Sequence, residues 1–314
     1  MEWMLALLFL ADNPGPFGES IGTAADRLRS ELPTSLASDR AILSEPPKGF
    51  RPGAPFILLG QAADEAEWSI RTDAVVRGVQ GSTLVRENAI QGTRINLRRD
   101  LGLELQEGGR VSGVYETRKL VWLLDVEYLE GSGRQPDHRS FFFNGYQFAA
   151  GDPIHTLTHF LTVRLQVEWK GVYRSPDGAW FGPVVGLEFP YYYMNVTSKA
   201  NPHNSEDWTH NYPYPVIGWG GRLPVAEGLS LEGRTTVGYF PNLPSAFTEG
   251  GRLYVSSRPG VWVDLPLVWK VSRTLRLSLG FQYQYWNGGD HSIEDGNKLR
   301  FSGPGATLGA EFAW

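Results

Sequence analysis

Two polar segments carry the side chains that an aspartate–histidine hydrolase would use. "SEDWTHN" (205–211) and "GGDHSIED" (288–295) each place carboxylates within a few residues of a histidine. The side chains concerned are Glu206, Asp207 and His210 in the first segment and Asp290 and His291 in the second. A carboxylate can orient a histidine that acts as general base toward water. The chain has no cysteine nucleophile, and no serine–histidine motif accompanies these groups, so hydrolysis stands third among the candidate functions.

The histidines do not predict a metal site. His155 and His159 share one face of an extended segment, but their Cα atoms would lie about 13 Å apart, too far to hold one ion between them. His203 and His210 flank two carboxylates in a polar stretch that is better explained as a solvated loop. The acidic, glycine-rich stretch 288–297 has the composition of a calcium loop but not its spacing. We therefore predict no metal and no cofactor.

Charged side chains also recur at alternate positions of long segments. In "TLRLSLGFQYQYW" (274–286) apolar residues alternate with small or polar ones, and Arg276 is on the polar side. An arginine facing lipid at the bilayer midplane costs about 2–4 kcal/mol, so such residues should point into a closed ring of strands and pair there with opposite charges. The predicted interior charge network consists of Arg71, Asp73, Arg77, Asp125, Glu127, Arg164, Glu168, Glu188, Arg222, Glu232, Arg234, Asp264 and Arg276.

Ten segments have this two-residue period, and their connections alternate between short and long. The segments are 66–79, 110–116, 120–130, 155–170, 181–196, 212–223, 229–240, 253–271, 274–286 and 298–314. Short connections at one rim and long polar ones at the other are typical of an up-and-down antiparallel barrel of the bacterial outer membrane. An even number of strands would also bring both ends of the barrel to the short-turn rim.

Segment length and aromatic placement favour a membrane over water around this sheet. Several segments have about 12–18 residues, whereas soluble strands usually have 3–10 and a tilted membrane strand needs about 9–11 in the hydrocarbon. We predict an all-β, transmembrane, antiparallel up-and-down barrel of about ten strands, with eight as the alternative count and a soluble sandwich or lipocalin-like barrel as the alternative class. Aromatic residues near the ends of the apolar runs predict girdles at the membrane interfaces: Trp68, Trp122, Tyr128, Trp169, Tyr191, Tyr193, Trp219, Tyr239, Trp269, Tyr285 and Trp286.

Composition excludes several other classes. The net charge of −5 over 314 residues gives no basic surface for nucleic acid. No apolar run is long enough for a membrane-spanning helix. We interpret 1–20 as a signal-peptide remnant, 21–64 as a mostly irregular periplasmic leader, and 65–314 as the barrel.

Several motifs resemble those of small bacterial outer-membrane β-barrel proteins, an uncharacterised family. The end of the chain, "ATLGAEFAW", resembles the aromatic signature that the barrel-assembly machinery reads, with Leu308, Phe312 and Trp314 in register. "GTRINLRRDLGLE" (92–104), followed by "RVSGVY" and "LVWLLDVEYLEG", resembles the opening of that family, and "FFFNGYQFAAGDPI" (141–154) resembles its second external excursion. The resemblance implies a fold and an outer-membrane location but no chemistry. Gly and Pro in 256–262 and 301–307 predict β-bulges.

A barrel this narrow is filled by side chains, so a wide channel is excluded. The first candidate function is a structural, scaffolding or accessory-subunit role in the cell envelope, and the second is a narrow pore or transporter for a small solute. The third is proteolysis like that of the omptins, although their Asp-x-His spacing is absent from 205–211. The expected partners are outer-membrane lipid and lipopolysaccharide, the barrel-assembly machinery, and a further envelope protein as an open candidate.

Overall fold

A computed structural model describes residues 66–86, 92–136, 138–201, 205–211, 214–238, 260–289 and 297–314. This part of the chain is all-β, as predicted. In these ranges there is no helix of the length and apolarity needed to cross a membrane. The predicted signal remnant and leader, 1–64, lie outside the described residues.

Sixteen strands occur in the described ranges. In chain order they are β1 (Glu67–Gly78), β2 (Gln80–Leu84), β3 (Ile95–Asn96), β4 (Leu105–Glu116), β5 (Leu120–Gln135), β6 (Phe141–Phe143), β7 (Tyr146–Phe148), β8 (Ile154–Trp169), β9 (Tyr173–Arg174), β10 (Trp180–Ser198), β11 (Ser205–Asn211), β12 (Tyr214–Ala226), β13 (Leu229–Gly238), β14 (Gly260–Lys270), β15 (Leu275–Gly289) and β16 (Lys298–Ala313).

Ten of these strands close into a barrel, so the predicted strand number is confirmed. The order is β1-β4-β5-β8-β10-β12-β13-β14-β15-β16, and β16 pairs back onto β1. Every neighbouring pair in this ring is antiparallel. Closure leaves no unpaired sheet edge within the ring.

The connections make the two rims unlike. Between strands of the ring, the links at 117–119, 227–228 and 271–274 are short, and we call this end the short-turn rim. The ring also closes here, because the backbone N–H of Trp68 donates to the carbonyl of Trp314 at 3.2 Å. The opposite end, the long-loop rim, carries the connections that contain β2–β3, β6–β7 and β11. This asymmetry is the one that the sequence predicts.

Alternation along each strand sorts the side chains between the two walls. On β15, Leu277, Leu279 and Phe281 are exposed on the outer wall, whereas Ser278 and Gln282 are buried inside. Register then aligns inward positions across strands. Asp125 of β5 is opposite Arg164 of β8, which is in turn opposite Glu188 of β10. The backbone pairing therefore already places three charges in one row of the inner wall.

The bulge predicted in 301–307 is wrong. From Lys298 to Phe312, β16 pairs with β15 in one uninterrupted register. Gly303 serves close packing instead, since a Cβ there would lie 2.3 Å from the carbonyl oxygen of Gly78 and 2.7 Å from the side chain of Arg77. A register shift occurs between Pro224 and Ala226 of β12, where none was predicted. Most of the other predicted bulge, 256–259, lies outside the described residues.

Two loop segments at the long-loop rim fold into a buried apolar cluster. The hairpin β6–β7 and the turn that follows β3 contribute Leu97, Leu101, Leu103, Phe141, Phe143 and Phe148, each at most 1 % exposed. We call these six residues the outer plug. They share one core cluster with inward residues of the strands, among them Leu129, Phe160 and Tyr192. The barrel therefore has an apolar core toward the long-loop rim.

Candidate functional site: the ion-paired lumen

Below the outer plug the lumen is filled with paired charges. The central row is built around Arg110 of β4, whose side chain is 2 % exposed. Its Nε donates to Asp73 Oδ2 at 2.9 Å, and its Nη1 donates to Asp264 Oδ2 at 2.9 Å. Asp264 lies on β14, four strands away in the ring, so this contact crosses the lumen. Arg71 also donates to Asp73, at 2.8 Å.

A second row lies closer to the outer plug and is sealed from solvent. Arg164 is fully buried and donates to Asp125 at 3.0 Å. Its guanidinium also lies 3.6 Å from carboxylate oxygens of both Glu127 and Glu188. The indole of Trp262, four strands away, is 4.6 Å from the guanidinium carbon, which adds a cation–π contact. One arginine thus compensates carboxylates from two strands.

Arg77 of β1 completes this second row. It pairs with Glu127 and donates to the side-chain oxygen of Gln284 at 2.6 Å. Directly beyond, Phe160 of β8 and Phe301 of β16 stack with ring centroids 5.9 Å apart. These strands are also four apart in the ring, so side chains from facing walls meet where the charged rows end and the apolar core begins.

A third group of charges lies near the short-turn rim. Arg222 of β12 donates to Glu116 of β4 at 3.1 Å and to Glu232 at 2.8 Å. Lys170 also donates to Glu116, at 2.5 Å. On the other side of the lumen, Arg276 donates to Glu311 at 2.6 Å and pairs with Glu67. Arg234 pairs with Glu168 between this group and the central row.

A small cavity remains among these pairs. Its volume is about 60 Å³, and its lining includes Arg110, Glu116, Arg222, Glu232 and Asp264. A cavity of this size holds a few water molecules at most. Among the described residues, the lining reaches Asp125 of the second row but does not include Phe160 or Phe301.

The structure places all thirteen residues of the predicted network on the inner wall, each in at least one ion pair. Five partners were not predicted: Glu67, Arg110, Glu116, Lys170 and Glu311. The alternation could have found Arg110, because it occupies the same parity as Ser112 on β4. Among the described residues, eight cationic and ten anionic side chains face one another in the lumen, so this part of the interior is close to neutral. Near-neutrality is required because each unpaired buried ion would cost several kcal/mol.

The outer wall carries two separated bands of aromatic side chains. Toward the short-turn rim are Trp68, Trp122, Trp169, Trp219 and Trp269, all exposed, and toward the long-loop rim are Tyr128, Tyr191, Tyr193 and Tyr285. His159, which contacts the Tyr128 hydroxyl at 2.6 Å and lies opposite Tyr193, is ten residues from Trp169 on β8. At about 3.3 Å per residue and a tilt near 40°, this separation spans about 25 Å along the barrel axis, the height of a lipid-facing band.

One predicted girdle residue faces the other way. Trp286 is 4 % exposed and belongs to the interior apolar cluster. Tyr285 and Trp286 are consecutive on β15, and neighbours on a strand point to opposite walls, so both could not face outward. Tyr239 lies outside the described residues. Leu308, Phe312 and Trp314 of the predicted assembly signal are exposed on the outer wall.

Of the candidate hydrolytic residues, Glu206 has a described side chain, and it accepts a hydrogen bond from the side-chain amide of Asn144 at 3.2 Å. β11 pairs with β10 and carries Asp207 and His210, but only their backbone register is described. Asp290 and His291 lie outside the described residues, as does His203. His155 and His159 are partly exposed on the outer wall. No group of three or more metal-ligating side chains occurs among the described residues.

Fold and site together define a closed ten-stranded barrel with an apolar outer wall and an ion-paired lumen. No protein-family model matches this chain, and no curated protein matches it. Solved structures with similar strand arrangements include the outer membrane protease OmpT from Escherichia coli, at 11 % identity over 78 % of this chain and 97 % of that one, with a TM-score of 0.46. The transport unit of the autotransporter AIDA-I from Escherichia coli is similar at 10 % identity over 79 % and 90 %, with a TM-score of 0.40.

A third similar structure is Ail, the attachment invasion locus protein of Yersinia pestis, at 10 % identity over 80 % of this chain and 99 % of that one, with a TM-score of 0.31. At such identities and TM-scores, these likenesses assign neither an activity nor a ligand to the chain.

Proposed function

We propose that this chain is an integral barrel of the bacterial outer membrane with a sealed lumen, and that its role in the cell envelope is structural, scaffolding or that of an accessory subunit. In this role the outer wall contacts lipid and the long-loop rim faces outward. Lipopolysaccharide, the barrel-assembly machinery and a further envelope protein are the proposed partners. The short-turn rim would lie on the periplasmic side.

One observation supports the proposed membrane location. Along a single strand, the outward side chains change from apolar to polar, while the inward side chains change from charged to apolar. On β5, Trp122, Leu124, Val126 and Tyr128 face outward, while Asp125 and Glu127 face the lumen. Beyond Tyr128 the outward residues become Glu130, Ser132 and Arg134, and inward Leu129 joins the apolar core. A water-soluble barrel would keep its apolar side inward throughout. An apolar medium around the lower part of the wall and water around the upper part account for both halves of the strand.

The same inversion occurs on β10. In the middle of this strand the outward side chains are Leu187, Phe189, Tyr191 and Tyr193. Glu188, which lies between the first two, is buried and faces the lumen. Further along, Asn195 and Thr197 face outward, while Met194 and Val196 are buried. In the strand pairing, Leu161 of β8 lies opposite Tyr191 of β10 on one side and Tyr128 of β5 on the other. The two inversions therefore occur at about the same height.

The sealed lumen follows from the contacts across it. Ion pairs join strands four apart in the central row and near the short-turn rim, and stacked phenylalanines join facing walls beneath the outer plug. A conducting path would have to pass both the charged rows and the apolar core. The competing function, a narrow pore or transporter, needs such a path.

Two measurements test the proposal. Folding into phosphatidylcholine vesicles should protect the chain from added protease, whereas a water-soluble barrel would stay monodisperse without any amphiphile and would not associate with the vesicles. In planar bilayers the purified protein should give no discrete conductance steps. Reproducible steps from the unmodified chain would favour the pore function over the sealed barrel.

A further inference from the structure

An arginine-lined groove lies on the outside of the barrel near the long-loop rim. It is lined by Asn96, Arg98, Arg99, Gly102, Glu104, Arg134 and Gln135, and its volume is about 470 Å³. We call it the arginine groove. The turn after β3 forms one side, and the end of β5 forms the other. The chain as a whole has a net charge of −5, so a cluster of arginines on one part of its surface is unusual and calls for an explanation.

The groove is held in place by several contacts. Asn96 Oδ1 accepts hydrogen bonds from the backbone N–H groups of Arg98 and Arg99, at 3.1 and 2.7 Å, which closes the turn. Leu103 forms a β-bridge with Gly133, and this bridge ties the turn to β5. The side-chain amide of Gln135 donates to the carbonyl of Arg99 at 2.5 Å. Buried Leu97 and Leu101 anchor the turn from beneath as part of the outer plug.

One carboxylate beneath the groove, that of Asp100, pairs with two of the nearby arginines and leaves the others available. Asp100, with a side chain 4 % exposed, pairs with Arg99 at 2.8 Å and with Arg139 at 3.3 Å. Burial opposes ionisation of Asp100, but hydrogen bonds from Arg99 and from the N–H of Asn96, with the charge of Arg139, lower its pKa on balance. Asp100 therefore stays anionic at neutral pH and fixes the position of Arg99.

Two guanidinium groups of the groove remain available to a ligand. Arg134 has no side-chain partner among the described residues. Arg98 is 3.7 Å from Glu104, and both of these side chains are more than half exposed. Such an exposed pair contributes about 0–1 kcal/mol and is easily exchanged for a better anion. Two other carboxylates on this wall, Glu107 and Glu130, lie opposite each other about four residues nearer the membrane and do not line the groove.

From this geometry we propose that the arginine groove binds a phosphate group on the saccharide of an outer-leaflet lipid such as lipopolysaccharide. Guanidinium forks bind phosphate in a bidentate way and with charge-assisted hydrogen bonds. Arg134 is six residues beyond Tyr128 on β5, about 15 Å along the axis above the upper aromatic band. At that height the groove faces the saccharide layer and not the acyl chains. The inference depends on the proposed outer-membrane orientation.

The test compares two double variants of the full chain, purified in mild detergent. Arg98→Gln with Arg134→Gln removes the two available guanidinium groups. Arg118→Gln with Lys119→Gln is the matched control, because it removes two exposed positive charges at the short-turn rim. Calorimetric titration measures the affinity of each protein for lipopolysaccharide, for the same lipid dephosphorylated with hydrofluoric acid, and for inorganic phosphate.

The groove variant should bind intact lipopolysaccharide at least tenfold more weakly than the parent, and the control should bind within twofold of it. Dephosphorylation of the lipid should lower the affinity of the parent by a similar factor. It should lower the affinity of the groove variant much less, because the substitutions and the dephosphorylation remove the same interaction. Inorganic phosphate should compete only weakly.

Equal affinities of parent and groove variant, or equal sensitivity of both to dephosphorylation, would overturn the inference. Effective competition by inorganic phosphate would assign the groove to a free anion and would also overturn it. Insertion into phosphatidylcholine vesicles is scored separately: if the parent inserts while the affinity test fails, the groove inference is wrong and the membrane barrel stands. Failure of insertion contradicts the proposed function itself.

Discussion

Replacing Arg164 with Met tests whether the lumen is sealed. The side chain is fully buried and lies within 3.0–3.6 Å of oxygens from Asp125, Glu127 and Glu188. Methionine matches much of its length but leaves those carboxylates without their shared cation. Breaking a buried ion pair costs about 3–5 kcal/mol because the remaining charge stays buried. Arg77 still pairs with Glu127, which keeps the expected loss of unfolding free energy within this range and not above it.

The assay is urea unfolding of the vesicle-inserted barrel, followed by tryptophan fluorescence. With a slope of about 2 kcal/mol per molar urea, the expected loss lowers the midpoint by about 1.5–2.5 M. Arg98→Met is the matched control, because the one ion pair that Arg98 forms with a described residue is exposed and should contribute about 0–1 kcal/mol. A loss below about 1 kcal/mol for Arg164→Met would refute the reasoning, since it would mean that water reaches these carboxylates.

A second substitution separates charge from packing. Adding Glu188→Gln to Arg164→Met removes one of the uncompensated carboxylates, and the amide can still accept a hydrogen bond from Tyr214, the present partner of Glu188. The double variant should lose less stability than the sum of the single losses, by about 1–3 kcal/mol. Strict additivity would indicate that the cost of Arg164→Met comes from packing alone.

Three further perturbations follow from single contacts. As the pH falls below about 4, the ordinary pKa of an aspartate, the loop around Asp100 should lose hydrogen-exchange protection. The pKa of this carboxyl is lowered, so its stabilisation is complete above the ordinary value and is lost as the pH falls through the lowered pKa. The variant Asp100→Asn should show no such change. Brominated lipid should quench the fluorescence contributed by Trp219, which is 48 % exposed, and leave that of Trp286 unaffected, as difference spectra of the two Trp→Phe variants would measure. Gly303→Ala should destabilise the barrel by about 1–3 kcal/mol in urea titrations, because its Cβ would meet the backbone of a neighbouring strand, whereas Gly113→Ala, with no atom within 4 Å of its Cβ, should not.

The alternating sequence predicted the walls of the barrel but not the contacts across it. A period of two decides which wall a residue faces, so thirteen of the eighteen charged side chains described in the lumen could be identified from the sequence. It does not decide which strand lies across the lumen. The pairs Arg110–Asp264 and Glu116–Arg222 depend on ring closure and strand tilt, which are properties of the whole sheet. The prediction for Trp286 is wrong for a local reason: the aromatic cluster predicts a girdle, but consecutive residues on β15 point to opposite walls, and Trp286 is buried inside.

A stronger sequence signal was present in "LVWLLDVEYLEGSGR" (120–134), where alternation continues but its polarity changes. Before Tyr128 the residues at even positions are apolar and Asp125 and Glu127 are charged; after it, the residues at even positions are polar. Parity is constant along a strand, so the direction of each side chain does not change at this point, and the change of composition reports a change of surroundings. The outer wall passes from an apolar medium into water, while the lumen passes from paired charges into an apolar core. That inversion locates the membrane surface on an individual strand, which neither strand length nor aromatic count can do.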